Sequence, residues 1–199
     1  MFTKLAIVIL LAAIVLTPSC ITTKGDAWRF DSAETPEGWP ESSPVGEVAL
    51  REYPTYREAK VTRASAASGD EQDALFMQLF RHIDRNEIAM TAPVEMVYDE
   101  GRVESMAFVY RDLTVGQPGT DGAVAVRDVA PELFASTGVR GRYGDDNFGV
   151  GREIVEAWLA ENAGKYQRVG PYRYLGYNGP FTLPFLRYGE VQVRIAASR

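Results

Sequence analysis

One apolar run constrains this chain more than any other: Ile88-Ala89-Met90-Thr91-Ala92-Pro93-Val94. Only Thr91 is polar. Pro93 has no backbone N–H, so it cannot serve in the middle of an ordinary central strand. A proline inside such a run demands a bulge, a sheet edge or a sharp entry into a strand. The run follows a helix-like stretch with only Asp84-Arg85-Asn86-Glu87 intervening, so helix and strand are joined tightly.

The 199 residues suffice for one sizeable domain, and 46% apolar residues can supply its core. The net charge of −6, with no run of Lys or Arg, argues against nucleic acid as a partner. A single cysteine excludes an intrachain disulfide and any cysteine-rich zinc or iron–sulfur site. A single histidine excludes a multi-histidine metal centre but leaves room for one axial ligand.

The first 19 residues read as an export signal. Lys4 is a small positive head, and residues 5–16 are an unbroken apolar run. Its twelve residues fall short of the about 20 that span a bilayer. The lone cysteine closes the stretch Leu16-Thr17-Pro18-Ser19-Cys20, which resembles a bacterial lipoprotein leader. Cleavage before Cys20 and lipidation of its thiol are expected, with ordinary signal cleavage as the alternative. Residues 20–45 then read as a lipid-anchored flexible tether, rich in Pro, Gly, Ser, Thr and Glu. Trp28 and Trp39 are expected to dock loosely on the domain. The expected location is the bacterial cell envelope.

The folded domain is expected over residues 46–199, and it carries an internal repeat. Gly46-Glu47-Val48-Ala49-Leu50-Arg51-Glu52-Tyr53-Pro54 resembles Gly122-Ala123-Val124-Ala125-Val126-Arg127-Asp128-Val129-Ala130-Pro131. Each segment alternates, turns at proline and resumes as a second strand, near 55–63 and 133–142. A helix follows in each half. The first, near 70–85, places Leu75, Phe76, Leu79, Phe80 and Ile83 on one arc. The second, near 149–163, aligns Val150, Ile154, Val155, Trp158 and Leu159, with Asn147 as its cap. Two further strands close each half: near 93–98 and 103–111, then near 172–177 and 190–196. In the last of these Val191, Val193 and Ile195 alternate with Gln192 and Arg194, predicting one buried and one wet face. Helices covering one face of a mostly antiparallel sheet make an α+β layout with duplicated strand–strand–helix–strand–strand halves.

The same motifs, with the ending Tyr177-Asn178-Gly179-Pro180-Phe181 and Pro184-Phe185-Leu186-Arg187-Tyr188-Gly189-Glu190-Val191, resemble the SOUL haem-binding family from about residue 46 to 196. The resemblance implies a distorted eight-stranded antiparallel barrel with two outer helices. It also implies a haem or other tetrapyrrole ligand, and it transfers no axial ligand to a position here.

With that ligand in view, several residues become candidates. His82 lies about 80° from the centre of the first helix's apolar arc. Its imidazole could ligate iron, or it could be a boundary histidine bonded to a neighbour. Met77, Arg81 and Arg85 fall on the face away from that arc. A thioether beside two guanidiniums suits a porphyrin and its propionates, although a solvated basic face has the same pattern. Tyr177 and Phe181 lead an aromatic stretch that could line a flat pocket. Met90 and Met96 read as core filling. Glu95, Asp99, Glu100 and Glu104 read as wet strand and turn residues, and residues 138–151 as a loop. No nucleophile–base motif is present. The expected function is therefore a membrane-tethered, non-catalytic module for haem or another flat hydrophobic ligand. The alternatives are a hydrolase using a pocket carboxylate and an envelope interaction lipoprotein with no small ligand.

Overall fold

The computed structural model describes residues 21–22, 29–30, 32–63, 71–99, 101–179 and 181–198. Strands β1 (Ile21–Thr22) and β2 (Arg29–Phe30) form a separate antiparallel pair. The remaining strands are β3 (Val48–Tyr53), β4 (Tyr56–Thr62), β5 (Val94–Asp99), β6 (Arg102–Val109), β7 (Gly119–Asp121), β8 (Val124–Val129), β9 (Glu132–Arg140), β10 (Tyr166–Gly176) and β11 (Tyr188–Ala197). Helix α1 (Glu71–Arg85) lies between β4 and β5, and α2 (Asp145–Glu161) between β9 and β10.

The nine strands make one antiparallel sheet in the order β3-β9-β11-β10-β5-β6-β4-β8-β7. Without β7, the order reads the same from either end once each strand is exchanged for its counterpart in the other half. The repeated segments at 46 and 122 become β3 and β8, in matching places. The sheet is not closed, unlike the expected barrel. Closing eight strands would require β3 to pair with β8, but the outer edge of β8 is taken by β7. Among the described residues the fold is thus α+β, with an open nine-stranded sheet and two α-helices.

Pro93 sits at the entry to β5 rather than inside it, so the strand loses no ladder bond. Thr91 Oγ1 donates to the Val109 carbonyl and ties this entry to β6. Met90, expected in the core, is partly exposed, whereas Met96 is buried. Strand β10 begins six residues earlier than expected and bulges between Arg168 and Tyr172. Pro171, which cannot donate, falls within that irregularity.

Helix α1 buries Leu75, Leu79 and Ile83 as expected. Phe80 is instead exposed and stacks on Phe76. Helix α2 starts one turn earlier than expected and buries Phe148, Gly151 and Val155. Val150 consequently faces water. Asn147 does not cap it; its side-chain amide donates to the Arg142 carbonyl at 2.7 Å. Asp145 and Asp146 occupy the first turn, where the helix dipole favours acids. Glycine at 151 permits a close helix–sheet approach, since a Cβ there would collide with Val191.

The two faces of the sheet differ. One packs beneath the helices, with Val61, Met106, Tyr174, Val191 and Val193 meeting Leu79 and Val155. The other is covered by residues of the segment expected to be a tether. Trp39 packs edge-on against Tyr53 and Tyr56, at 4.6 Å and 5.4 Å between ring centres. That cover corrects half of the wet face expected for β11: Gln192 is fully buried, while Arg194 is exposed as expected. Among the described residues, no helix is long and apolar enough to cross a membrane.

Candidate functional site

Helix α1 packs mainly on β4, β6 and β8, while α2 packs mainly on β9, β10 and β11. A groove of about 490 Å³ opens beside α1 over the middle of the sheet. Its floor is Val94 and Met96 of β5 with Met106 of β6. Phe76 and Met77 of α1 form one wall, and Tyr143, Asn178 and Arg187 line the other side. Gln72 Nε2 donates to Met96 Sδ at 3.7 Å at one end. Tyr143 is fixed by its hydroxyl, which donates to the Tyr188 carbonyl at 2.9 Å and accepts from Asn178 N–H at 2.7 Å. Burial pushes that phenol up, so it stays neutral. The Arg187 guanidinium lies 5.5 Å from the Tyr143 ring centre, and its Nε donates to the Thr182 carbonyl at 2.9 Å. The groove is largely apolar, and its lining holds one cation, Arg187, and one acid, Asp73. Its volume falls in the range of small-ligand sites.

A second cleft, of about 460 Å³, lies at the other end of α1. His82 is buried there. Its Nδ1 sits 2.7 Å from Asp121 Oδ2 and its Nε2 2.8 Å from the Tyr110 hydroxyl. With the proton on Nδ1 donated to the carboxylate, Nε2 accepts from Tyr110. Arg85 also donates to Asp121, at 2.9 Å. The His82 hydrogen bond, helped by the Arg85 charge, holds the Asp121 carboxyl below its usual range.

On the opposite face of the sheet lies a buried polar cluster. Arg173 of β10 donates to Glu95 of β5 at 2.7 Å, to Gln192 at 2.9 Å and 3.0 Å, and to the Tyr56 hydroxyl at 3.2 Å. Its guanidinium also stands 3.6 Å from the Phe134 ring centre. Burial opposes the Arg173 charge, but Glu95 and the neighbouring phenols outweigh it and raise the pKa above the ordinary value. Glu190 accepts from Ser43 N–H at 2.8 Å, from the Tyr188 hydroxyl at 2.9 Å and from Gln192 at 2.6 Å. The segment around Ser43 thus completes the cluster.

The structure separates the residues expected to bind a ligand. Met77 lines the groove. His82 lines the second cleft, Arg85 is exposed and reaches it only through Asp121, and Arg81 is exposed on α1. Tyr177 is buried on the far face, where Trp39 Nε1 donates to its hydroxyl at 3.3 Å. Phe181 projects into water. Cys20 lies outside the described residues. Glu95 is buried in an ion pair rather than wet. Sequence reasoning missed Tyr143 and Arg187 as groove residues and Arg173 altogether. The alternation Tyr172-Arg173-Tyr174 signals only that Arg173 faces away from the tyrosines, not that this side is covered. Among the described residues, no group of three or more His, Cys, Asp or Glu could hold a metal ion.

Comparison with known proteins agrees with this architecture. The C-terminal domain of EcmrR superposes with a TM-score of 0.57 at 14% identity, over 76% of this chain and 98% of that one. An uncharacterized conserved protein from Listeria innocua gives 0.59 at 8% identity, over 77% and 94%. A hydrolase from Listeria innocua gives 0.57 at 7% identity, over 77% and 94%. At these identities the likeness is one of fold. No curated protein matches the chain. The family model of the SOUL heme-binding protein matches residues 41–194, and that match covers most of the chain: it belongs to the SOUL heme-binding protein family.

Proposed function

We propose that this protein is a membrane-tethered, non-catalytic binding module whose ligand is haem or another flat, amphipathic tetrapyrrole. One observation carries the reading: the largely apolar groove beside α1, with Arg187 in its lining. Phe76, Met77 and Met96 would contact the faces of a planar ring, and Arg187 would pair with a propionate. When bound, haem iron would supply ligand-binding or electron-exchange chemistry. Of the expected site residues, Met77 enters this reading directly. His82 has both ring nitrogens engaged, so ligating iron there would break its bond to Asp121 or to Tyr110. Tethering through Cys20 at the bacterial envelope is supported by the leader-like sequence, and the absence of a nucleic-acid partner by the acidic charge. The same reading takes the two halves as duplicates of one unit curved toward a barrel. The palindromic strand order supports the duplication.

The test is a titration of hemin into the purified chain, followed at the Soret band. Saturation near one equivalent is expected. Met77→Asp and Arg187→Glu should each weaken binding about tenfold, near 1.4 kcal/mol, while His82→Ala leaves it nearly unchanged. A larger loss with His82→Ala than with Met77→Asp would move the seat to the second cleft. No saturable change would remove haem as the ligand.

The hydrolase reading has one observation in its favour. Glu58 is buried beside Tyr56, and burial, with Glu95 nearby, pushes its carboxyl up against the pull of Lys60 and Arg127. Its carboxylate is, however, already held by Arg127 at 2.7 Å. Ester hydrolysis that disappears in Glu58→Gln, with the fold intact, would restore that reading.

A further inference from the structure

The turn between β10 and β11 presents its large apolar side chains to water. Phe181 is 99% exposed, Phe185 69% and Leu183 54%. One such side chain is ordinary on a soluble protein, whereas three on one short turn form a patch that calls for a partner. The turn is also held in shape. Thr182 N–H donates to the Gly179 carbonyl at 3.2 Å, Leu186 N–H to Leu183 at 2.9 Å and Arg187 N–H to Pro184 at 3.2 Å. At its base the Asn178 side chain accepts from Tyr188 N–H at 2.7 Å. The aromatic rings are therefore displayed by a braced turn.

The N-terminal side of the chain arrives at the same place. Gly179 N–H donates to Ser32 Oγ at 3.1 Å, and the Arg29 guanidinium lies 4.4 Å from the Tyr177 ring centre. Ser32 follows Cys20 by only twelve residues, which reach about 40 Å at full extension. A lipid on Cys20 would hold this end of the domain close to a bilayer.

We propose that the 181–185 turn docks on the lipid bilayer, with Phe181, Leu183 and Phe185 entering its interfacial layer. The orientation rests on the tether read at Cys20; the insertion rests on the exposed turn. The groove lining shares Asn178 and Arg187 with the base of this turn. Docking in this way turns that side of the groove toward the bilayer, where flat amphipathic molecules partition. Apolar side chains at an interface bind in proportion to the area they bury, and they add to a lipid anchor that is reversible alone.

Cys20 is the only cysteine, so a full-length Cys20→Ser chain accepts a single new label. Phe181→Cys in that background, carrying a polarity-sensitive fluorophore, is mixed with vesicles of phosphatidylethanolamine and phosphatidylglycerol. A saturable blue shift is expected. The same label at Glu161→Cys, at the far end of α2, should not shift. Adding Leu183→Ser and Phe185→Ser to the labelled chain should weaken vesicle binding about tenfold or more. No shift at 181, or equal shifts at 181 and 161, overturns the proposal, as does crosslinking from 181 to a protein with no response to vesicles. Fractionation of cells expressing the unlabelled wild type and Cys20→Ser tests the tether separately. Equal membrane partition of the two defeats the tether while a shift at 181 stands. A lipidated Cys20 with no shift at 181 defeats the insertion while the tether stands.

Discussion

The two faces of the sheet satisfy burial by different physics. Beneath the helices, aliphatic and methionine side chains pack without directional demands, and beside α1 the packing leaves a groove. On the opposite face, Arg173, Glu95, Gln192, Glu190 and several tyrosines form a hydrogen-bonded cluster closed by Ser43 and Trp39. Dispersion and hydrophobic burial add up contact by contact, so a gap on the first face costs little beyond itself. A buried ionic network depends on every member, because a charge left alone in a low dielectric is expensive. The difference teaches where this fold tolerates an opening: on its apolar face.

The largest test of that contrast is Arg173→Ala. It leaves the buried Glu95 carboxylate with Lys60 alone, 3.9 Å away, and should cost about 3 kcal/mol in urea unfolding. Replacing Arg173 and Glu95 together by Met and Leu should recover much of the loss. A double replacement as damaging as the single one would show that the face is not governed by its ion pair.

Leu79→Ala on the apolar face should cost about 3 kcal/mol by the same measurement, through lost burial and a residual cavity. Its effect should add to that of Arg173→Ala, since the two lie on opposite faces. Strong non-additivity would mean the faces are coupled through the sheet.

The smallest effects distinguish the faces by the sign of their pH dependence. Asp121, beside His82, has its folded-state pKa lowered. Its contribution is present above the unfolded value and is lost as pH falls through the folded one. Asp121→Asn should flatten that part of the acid limb. Glu58 has its folded-state pKa raised by burial. The folded state binds its proton first, so this group favours folding as pH falls through the raised value toward the unfolded one. Glu58→Gln should therefore raise the melting temperature most at neutral pH, with the gain fading in acid. A gain from Glu58→Gln that grows toward acid would reverse the assignment.

Much of the fold was legible from local pattern. The alternation of Val191, Val193 and Ile195 and the arc of Leu75, Leu79 and Ile83 landed buried in the expected elements, and 46–54 and 122–131 each hold a strand. Helix α2 was misplaced by a turn because Gly149 and Gly151 look like loop residues, although Gly151 is needed for contact with Val191. The candidate site was less legible. Met77 was reachable from helix periodicity, whereas Tyr143 and Arg187 enter the groove from connections whose path no periodicity reports.

The sequence by itself determined the family, the strand and helix periods and the α1 core, because these depend on neighbours a few residues apart and on a long match of motifs. Tertiary structure alone decided that Gln192 and Glu190 are buried, that His82 is bonded through both nitrogens, and that the sheet stays open. Each depends on a distant segment: Ser43 is 147 residues from Glu190, and Asp121 is 39 from His82. Burial is set by whatever covers a face, and for the polar face that cover is a stretch whose composition reads as a linker.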